Sequence, residues 1–478
     1  MIEFDNSFVR ELEGLFEPVQ PARSSAPRLL AFNDGLAVEL GLDPARLRSP
    51  EGVAVLAGNR LPAGAAGVAQ AYAGHQFGGY SPRLGDGRAL LLGEVIDTLG
   101  HRRDLHLKGS GRTPFARGGD GKAAVGPMLR EYLIGEALHA LGIPTTRALA
   151  VVATGDEVRR EQLLPGAVLT RVAASHLRVG SFQFAAATGD VDLLRRLADH
   201  AIARHHPGAA HAEQPYLALL TAVADVQAAL IAQWMHAGFV HGVMNTDNIT
   251  ISGESIDFGP CAFLDVHDPR SVFSSIDQLG RYAYENQPRI GLWNLARLAE
   301  ALLPLVDSDT EAAVAAVTDV LHGFVPRYDH HWLAGMRAKL GLRAAQPHDR
   351  ALVDDLLARM AAARLDHTLT FRGLSAVLLG EPSHVALADW APAWQERLAT
   401  EGTDVGQAAA LMDAVNPLYI PRNHLVESAL IAATHGDLTE FEMLLEVVIH
   451  PYAPRAGFER YTLPAPDDAA PYVTFCGT

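Results

Sequence analysis

The spacing of apolar and polar residues changes along the chain, from short runs in the first part to helical periodicity in the second. Apolar runs at 89–95, 148–153 and 167–172, and alternation over 104–108, predict four strands. Between the second and third strands, apolar residues recur at helical spacing from Pro127 until Gly142-Ile-Pro144 ends the helix. The predicted order is strand, strand, helix, strand, strand.

From Val191 onward the pattern is mostly helical. Tyr216 to Gly238 forms one long amphipathic pattern that ends at its glycine, and 290–375 and 383–450 are rich in Ala and Leu at helical spacing. Residues 1–75 mix short helical patches with Pro and Gly, and we interpret them as an N-terminal extension. The pattern predicts an α+β protein in which a small β-rich unit precedes a larger helical one.

Composition narrows the class of protein. A chain of 478 residues can hold two to four structural units, and 49% hydrophobic with 20% charged residues is ordinary for a globular protein. The formal charge of −16 argues against nucleic acid as the main partner. We expect no membrane partner, since no unbroken apolar run of about 18 residues is present.

The N-terminus and the cysteines bear on the compartment. The start, Met1-Ile-Glu-Phe, is acidic and lacks the apolar core of a secretory signal. The two cysteines, Cys261 and Cys476, form no disulfide framework, so we expect a reducing, cytoplasmic location. The sequence does not set the oligomeric state, for which a monomer is the default expectation.

The most informative segment is His241-Gly-Val-Met-Asn-Thr-Asp-Asn248, followed by Ile256-Asp257-Phe-Gly259. It has the outline of a kinase catalytic loop and its Asp-Phe-Gly partner. The position where a kinase keeps its catalytic Asp is Val243, while an acid is present at Asp247. The segment therefore predicts that metal and nucleotide handling is kept and that the acceptor is activated differently.

Four residues of this segment have a predicted role. Asn248 and Asp257 carry the oxygen atoms that suit Mg²⁺ or Mn²⁺. Asp247 is the best-placed general base for an attacking hydroxyl. His241 is predicted to be a structural hydrogen-bonding residue. The pairs His205-His206 and His330-His331 have no zinc-like spacing, so we interpret both as surface features.

A phosphate-binding turn is predicted at Leu84-Gly-Asp-Gly-Arg88. Gly85 and Gly87 allow close backbone approach to phosphates, and Arg88 adds a guanidinium. A plain hairpin turn is the commoner meaning of such a motif. Lys108 ends a predicted strand and could reach the phosphates, with Glu131 of the next helix as its ion-pair partner; a solvated surface lysine is the alternative.

Two further groups are candidates for nucleotide contact. The loop 109–122 brings Asp120 and Gly121 near the predicted nucleotide site, although a flexible linker explains the loop equally well. Arg171 and Arg178 lie at the predicted junction of the two units, where a polyphosphate needs cations. Surface charges are the alternative for both arginines.

Taken together, these motifs resemble the selenoprotein O / YdiU family of protein adenylyltransferases. The resemblance runs from about Gln70 to the C-terminal cysteine. Its most specific matches are Ala71-Tyr-Ala-Gly-His-Gln-Phe-Gly-Gly79, Leu84-Gly-Asp-Gly-Arg88, Leu107-Lys-Gly-Ser-Gly-Arg-Thr-Pro-Phe115, Gly119-Asp-Gly-Lys122, Met128-Leu-Arg-Glu-Tyr132 and the segment 241–259.

The resemblance implies a two-lobed, protein-kinase-like fold with extra N- and C-terminal helical segments. It divides the chain into an extension (1–75), an N-lobe with the nucleotide loop (76–170), a C-lobe with the catalytic loop and metal site (171–330) and a C-terminal helical region (331–478). Family members bind ATP turned around relative to a kinase and move AMP to Ser, Thr or Tyr hydroxyls of proteins. Uridylylation with manganese and UTP is also associated with bacterial members.

Residue by residue, the resemblance implies Asp247 as proton acceptor, Asn248 and Asp257 as metal ligands, and Glu131 as the partner of Lys108. The implied nucleotide contacts are Gly85, Gly87, Arg88, Lys108, Asp120, Gly121, Arg171, Arg178 and Asp257. Some relatives link a cysteine in the loop after Asp-Phe-Gly to one near the C-terminus. Here that loop position is Phe273, so a Cys261–Cys476 bridge is a hypothesis beside two separate thiols.

Two other function classes remain open on the sequence. A phosphotransferase with a similar catalytic loop would keep an acid at position 243, which is valine here. A non-catalytic, ATP-binding pseudokinase scaffold would have no need to keep Lys108, Asn248 and Asp257 together.

Overall fold

Extended segments from the first 173 residues form one sheet, because their apolar side chains can be buried on a pleated surface. The computed structural model describes residues 2–466 and 472–474. Eight strands join this antiparallel sheet in the order β1-β3-β6-β7-β10-β9-β2, with β8 beside β10, while β4–β5 and β11–β12 are separate hairpins. The strands are β1 Phe16–Pro18, β2 Arg28–Phe32, β3 Val68–Gln70, β4 Gly74–Gln76, β5 Gly79–Ser81, β6 Ala89–Ile96, β7 Arg102–Lys108, β8 Ala123–Ala124, β9 Arg147–Arg159, β10 Leu163–Ala173, β11 Phe239–Val240 and β12 Ala262–Phe263.

The central strands β6, β7 and β10 carry polar residues on one face. Lys108, the last residue of β7, pairs with Ala89 of β6 and Leu169 of β10. His106, two residues earlier, pairs with Arg171 of β10. Directly paired residues, and residues two apart on a strand, point to the same side of a sheet. Lys108, His106 and Arg171 therefore share one face.

The four predicted strands are present. The segments 89–95 and 104–108 lie within β6 and β7. β9 and β10 extend beyond the predicted 148–153 and 167–172, because they continue as a paired ribbon that includes Leu163 opposite Arg159. The tip of this ribbon, residues 154–162, is a mostly polar run with neither an apolar stretch nor alternation, so the sequence gave no strand signal there.

Helices dominate the chain after residue 178. They are α1 Ser7–Glu11, α2 Asp34–Glu39, α3 Pro44–Arg48, α4 Pro50–Leu56, α5 Val125–Ala140, α6 Val179–Ala187, α7 Val191–His205, α8 Pro215–Ala237, α9 Gln287–Val306, α10 Thr310–His322, α11 Phe324–Lys339, α12 Asp349–Ala362, α13 His367–Leu378, α14 Ala391–Ala399, α15 Val405–Val415, α16 Asn423–Thr434 and α17 Thr439–Val448. Together with the sheet they make a mixed α+β protein, as predicted.

Helix α5 lies against the sheet and carries Glu131. It begins at Val125, two residues before the predicted start at Pro127, and ends ahead of Gly142. Thirteen of its 16 residues are buried, because β9 and β10 cover one side and α16 and α17 the other. The C-terminal region thus returns to pack on the helix that borders the sheet.

Helix α8 matches the prediction for Tyr216 to Gly238. Pro215 takes its first position, and Gly238 ends it with a left-handed backbone (φ 67°). A Cβ at Gly238 would lie 2.8 Å from the His367 ring, so glycine is required on both counts. Among the described residues, α8 alone is long and apolar enough to cross a membrane, with a mean hydropathy of 1.6. Half of the 18-residue stretch with this hydropathy is buried inside the protein, as in a core helix.

The predicted N-terminal extension, residues 1–75, is built into the sheet. β2 forms one edge beside β9, and β1 and β3 form the other edge beside β6. These short extended segments had no apolar periodicity of their own, because each strand is only three to five residues long. The sheet therefore needs the first 75 residues to cover both of its edges.

The interpretation of the His205-His206 pair as a surface feature is wrong. Both side chains are half-buried. The His205 ring bonds the Ser175 hydroxyl at 2.7 Å, and the His206 ring bonds the Ile251 carbonyl at 3.2 Å. The C-terminal end of α7 packs on the segment after β10, which the local sequence could not reveal. His330, by contrast, is exposed.

Candidate active site

A cavity of about 1320 Å³ lies between the polar face of β6, β7 and β10, the segment 241–260 and helix α16. Segments that are far apart along the chain meet on its walls. All the residues predicted to act in catalysis, nucleotide binding, metal binding or the supporting ion pair line it, namely Gly85, Gly87, Arg88, Lys108, Asp120, Gly121, Glu131, Arg171, Arg178, Asp247, Asn248 and Asp257. Its size exceeds that of an ordinary small-ligand pocket, which leaves room beside a nucleotide.

Asp257 is surrounded by three cations. Its Oδ1 lies 2.5 Å from Lys108 Nζ and 2.7 Å from Arg171 Nη1, and its Oδ2 lies 3.0 Å from Arg178 Nη1. Burial alone would raise the pKa of Asp257, but these positive charges outweigh it and hold that pKa well below its usual range. Asp257 also has a left-handed backbone (φ 65°), a conformation that is strained for a non-glycine residue.

Glu131 shares two of these cations. Lys108 Nζ lies 2.5 Å from Glu131 Oε2, so the ion pair expected from the sequence is present. Arg171 Nη1 lies 2.9 Å from Glu131 Oε1. The cluster sets two carboxylates against three cations, all with exposed side-chain fractions of 22% or less. It therefore carries a surplus positive charge at the cavity wall, which suits an anionic ligand.

Asp247 has a different environment. It lies in the short 3₁₀ turn Thr246–Asn248 and is 7% exposed. Its Oδ1 has no hydrogen-bond partner among the described residues, and Oδ2 is 3.4 Å from Gln76 Nε2. Burial raises the pKa of Asp247 to about 6. A buried carboxylate with a free oxygen and a raised pKa is chemically suited to accept a proton near neutral pH.

The turn that holds Asp247 is tied to the surrounding elements. The Asp247 main-chain carbonyl accepts a 2.6 Å hydrogen bond from Arg178 Nη1, so one arginine contacts both Asp247 and Asp257. The Arg178 guanidinium also lies 4.6 Å above the Tyr72 ring. Gly74 of β4 faces the carboxylate so closely that a Cβ there would lie 2.5 Å from Asp247 Oδ1.

Asn248 and Asp257 have the donor types for a divalent cation. The Asn248 amide nitrogen donates to the Val243 carbonyl at 2.9 Å, so the amide oxygen is the end that is not engaged in that bond. Both residues line the cavity. Carboxylate and amide oxygens are ligands that Mg²⁺ and Mn²⁺ accept. Asn248 and Asp257 therefore fit a divalent metal ion. Asp257 would then contact this ion as well as the Lys, Arg and Arg side chains that already surround it. His241, as predicted, is structural, with its buried Nε2 bonded to the Ile256 carbonyl at 2.9 Å.

The two glycines of the 84–88 turn are required by packing. A Cβ at Gly85 would lie 2.2 Å from the Phe115 ring, and one at Gly87 would lie 2.9 Å from the Phe115 carbonyl oxygen. The turn 84–88 is thus pressed onto the loop 109–122. Asp86 between the glycines is buried and accepts hydrogen bonds from the Gln70 main chain and from His106.

Asp120 and Gly121 lie in the second loop. Asp120 accepts a hydrogen bond from the Lys122 main chain and is paired with Arg160, with Oδ2 at 3.0 Å from Nη1. Gly121 has a positive φ of 69°, and a Cβ there would lie 2.2 Å from the Gly111 backbone. The loop is therefore held by specific contacts and is not a free linker.

Cys261 lies just behind this site. It is fully buried, its Sγ is 3.2 Å from the Phe258 carbonyl, and burial raises the pKa of its thiol to about 11. Arg130 bonds the Cys261 carbonyl at 2.5 Å and the Gly259 carbonyl at 3.0 Å. Cys476 lies outside the described residues, so the hypothesis of a Cys261–Cys476 bridge stays a hypothesis.

Sequence reasoning missed several residues that contact the site. His106 and His176 contact Arg171. Asp86 bonds His106, and Gln76 bonds Asp247. A signal was present in one case. The alternation Asp104-Leu-His-Leu-Lys108 puts Asp104, His106 and Lys108 on one face of β7, and three polar residues on a buried strand face indicate a site.

Comparison with known proteins identifies the family of this chain. A family model described as "Protein adenylyltransferase SelO" matches residues 1–449. Proteins called "Protein nucleotidyltransferase YdiU" are 60% identical in Mycolicibacterium paratuberculosis (100% of this chain, 98% of that one), 59% in Pseudarthrobacter chlorophenolicus (98% and 97%) and 59% in Cereibacter sphaeroides (99% and 99%). The similarity spans the sheet, the cavity and the C-terminal helices. The chain is therefore an enzyme of the SelO family of protein adenylyltransferases, whose relatives are named as nucleotidyltransferases.

Proposed function

We propose that this enzyme transfers AMP from ATP to Ser, Thr or Tyr hydroxyls of proteins and releases pyrophosphate. The observation that carries the proposal is the pair of carboxylates in one cavity. Asp257 is surrounded by three cations. Asp247 is buried, one of its oxygens has no hydrogen-bond partner among the described residues, and burial raises its pKa to about 6. Environments that push two carboxylates apart in this way separate an electrostatic role from a proton-accepting role.

The reaction uses Asp247 as general base. An acceptor hydroxyl oxygen forms a bond to the α-phosphorus, and the bond from that phosphorus to the bridging oxygen of the β-phosphate breaks. The hydroxyl proton goes to Asp247, and the electron pair of the broken bond leaves with pyrophosphate. The unpaired Oδ1 of Asp247 is the atom that receives the proton.

The cations stabilise the leaving group. Lys108, Arg171 and Arg178 pair with Asp257 in the structure, and a triphosphate would attract the same groups more strongly because of its higher charge. Glu131 keeps Lys108 and Arg171 in place. We assign the remaining nucleotide contacts to Gly85, Gly87, Arg88, Asp120 and Gly121, all of which line the cavity.

Asn248 and Asp257 would hold a Mg²⁺ or Mn²⁺ ion. When bound, the ion supplies positive charge that offsets the charge developing on the phosphates. Treatment with a chelator should abolish transfer, and adding back either metal should restore it. Full activity of the chelated enzyme would remove the metal from the proposal.

The fold supports a kinase-like, two-lobed arrangement. The sheet and α5 form the β-rich side of the cavity, and the segment 241–260 with its supporting helices forms the other side. We propose that the nucleotide binds between these two sides and that residues 76–170 and 171–330 are the two lobes. We also propose that the enzyme is cytoplasmic. The extension 1–75 and the region 331–478 complete the chain.

The position of a radiolabel tests the reaction directly. ATP labelled at the α-phosphate should mark protein acceptors, and ATP labelled at the γ-phosphate should not. The reverse result would establish a phosphotransferase, which Val243 in place of an acid disfavours. Binding of ATP with neither label transferred, in a mixture that contains cell extract as the source of acceptors, would indicate a scaffold.

UTP is the second nucleotide to test. The same cations can stabilise pyrophosphate leaving from either triphosphate, because they face the phosphates and not the base. Transfer from α-labelled UTP, measured with Mg²⁺ and with Mn²⁺, would extend the activity to UMP.

A further inference from the structure

The Arg171 guanidinium is held on two sides. On the cavity side its Nη1 contacts Asp257 Oδ1 at 2.7 Å and Glu131 Oε1 at 2.9 Å. On the opposite side two imidazole rings, His106 and His176, face its Nη2 and Nε atoms. Arg171 is 2% exposed and both rings are fully buried. The rings stack on each other with centroids 4.2 Å apart.

Asp104 fixes the tautomer of the His176 ring. Asp104 Oδ2 is 3.0 Å from His176 Nδ1 and also accepts a 2.9 Å hydrogen bond from the His176 main chain. A carboxylate beside Nδ1 keeps the ring proton there, which leaves a lone pair on Nε2. That lone pair accepts the Arg171 Nε proton at 3.2 Å. Arg204 in turn pairs with Asp104 at 2.5 Å.

His106 repeats the arrangement from the other side. Its Nε2 is 3.0 Å from Asp86 Oδ2, and its Nδ1 faces Arg171 Nη2 at 3.5 Å. Burial lowers the pKa of both rings, that of His176 well below its ordinary value, so each keeps a free lone pair at neutral pH. Because Asp86 lies between Gly85 and Gly87, this second contact links the nucleotide turn to Arg171.

We propose that His106 and His176 are positioning residues that aim the Arg171 guanidinium at the phosphates of bound ATP. A guanidinium has five donors and no acceptor, so its orientation is defined only if acceptors surround it. Asp257 and Glu131 fill one side, and only an uncharged acceptor can fill the other without competing with Asp257 and the phosphates for the charge of the guanidinium. His106 and His176 meet this requirement, because an aspartate bonds one nitrogen of each ring and leaves the other nitrogen as an uncharged acceptor.

The proposal rests on the proposed function, since it assumes that Arg171 faces polyphosphate. It adds that the turn 84–88 is connected to the cation cluster through Asp86, His106 and Arg171. A residue that only fills the core would affect every ligand alike. A residue that orients Arg171 affects ligands that carry β- and γ-phosphates and spares AMP.

Two substitutions at position 176 separate these roles. In His176→Asn the amide can replace Nδ1 and donate to Asp104, but the acceptor for Arg171 is lost. In His176→Gln the amide oxygen can reach the place of Nε2 and accept from Arg171. His200→Ala is the matched control, because it removes another buried histidine, bonded to Glu11 at 2.7 Å, away from the cavity.

Binding of ATP, pyrophosphate and AMP to the full-length variants is measured by calorimetry, with folding checked by thermal denaturation. His176→Asn should weaken ATP and pyrophosphate about tenfold or more while AMP affinity stays within about twofold, the scale of one hydrogen bond to a charged group. His176→Gln should recover most of the loss, and His200→Ala should leave all three affinities unchanged.

Equal losses for ATP and AMP, or equal behaviour of the Asn and Gln variants, would overturn the positioning role. In an Arg171→Ala background, His176→Asn should have little further effect on ATP affinity, since the group that it orients is gone. A full additional loss there would also contradict the proposal. If the unmodified enzyme itself binds no ATP, the proposed function fails, and that outcome is distinct from either result at position 176.

Discussion

Asp257 and Asp247 line the same cavity, and their surroundings are opposite. Asp257 contacts Lys108, Arg171 and Arg178, and its pKa is held well below the usual range. Asp247 has no ion pair within 4 Å in the described part of the chain, and burial raises its pKa to about 6. Both carboxylates are largely buried. The difference is therefore made by the neighbouring charges and not by depth in the protein.

The comparison indicates how one cavity can separate two chemical tasks. A carboxylate that is paired with cations stays ionised. It holds those cations in place and can bind a metal ion, but it is a poor base. A carboxylate that is desolvated without compensation takes up a proton readily. The two lie ten residues apart on the segment 241–260, so the difference between them depends on which side chains approach from the sheet.

Asp257→Ala tests the organising role and should have the largest effect. Removal of the carboxylate leaves three buried cations to repel one another and removes a metal ligand. We expect α-labelled AMP transfer to fall about 100- to 1000-fold, the range for loss of one strong electrostatic element. Asp268→Ala removes a partly exposed carboxylate that does not line the cavity, so it is the control and should be active. Near-normal transfer by Asp257→Ala would refute the assignment.

Asp247→Asn tests the base and should be slightly less severe for catalysis. The amide keeps the shape but cannot take a proton, so kcat should fall about 100-fold. ATP affinity should be kept, because the Arg178 contact is to the main-chain carbonyl of residue 247. A variant that loses ATP binding as well would show that Asp247 belongs to the nucleotide site.

The same substitution should make the protein more stable. The native pKa of Asp247, about 6, lies above its ordinary value of 3.8, so the folded state disfavours the charged carboxylate. The contribution of Asp247 to the free energy of unfolding should fall as pH rises from about 4 to 6 and then level off. The free energy of unfolding of Asp247→Asn should therefore exceed the wild-type value by on the order of 1–3 kcal/mol above pH 6. The gain should vanish near pH 4. Denaturant unfolding at pH 4 and 7.5 measures it, and no difference at pH 7.5 would contradict the buried charge.

The pH dependence of transfer should follow Asp247. The base is active when ionised, so the rate should rise tenfold per pH unit up to about 6 and then reach a plateau, leaving about one-tenth of the activity at pH 5. Residual transfer by Asp247→Asn should lack this inflection. A flat wild-type profile between pH 5 and 8, with the enzyme folded throughout, would exclude a base with this pKa.

The sequence predicted the two carboxylates but not the different side chains that surround them. The spacing of Asn248, Asp257 and the displaced acid Asp247 was enough to predict a catalytic segment, because those residues are close along the chain. Four strands were predictable for the same local reason, namely their apolar residues at the spacing of a strand: β6, β7, β9 and β10. Local patterns thus identified the parts and their order.

What the sequence could not give is which side chains meet across the sheet. His106 reaches Arg171 only because β7 pairs with β10 in one register, and a shift of one residue would turn the ring to the other face. The strands of residues 1–75 were missed because three to five residues are too few for a period. Non-local pairing decides both, and no spacing along the chain reports it.

The smallest predicted effect comes from Gly74, which lies against Asp247. A Cβ at this position would be 2.5 Å from Asp247 Oδ1 and 2.8 Å from a Leu84 methyl carbon, so the carboxylate must move. Gly74→Ala should lower kcat about fivefold with ATP affinity unchanged, since misplacement of a catalytic group slows the reaction without removing it. The effect should add little to Asp247→Asn, because both act through the same group.

Gly79→Ala in the same hairpin is the matched control for Gly74→Ala. A Cβ at Gly79 meets only the Gln76 carbonyl, at an ordinary 3.5 Å, so the alanine fits without displacing the carboxylate. If Gly74→Ala transfers AMP as fast as Gly79→Ala, the position of the Asp247 oxygen does not limit the rate. The base would then have to be another group in the cavity, and the contrast between Asp257 and Asp247 would describe stability alone.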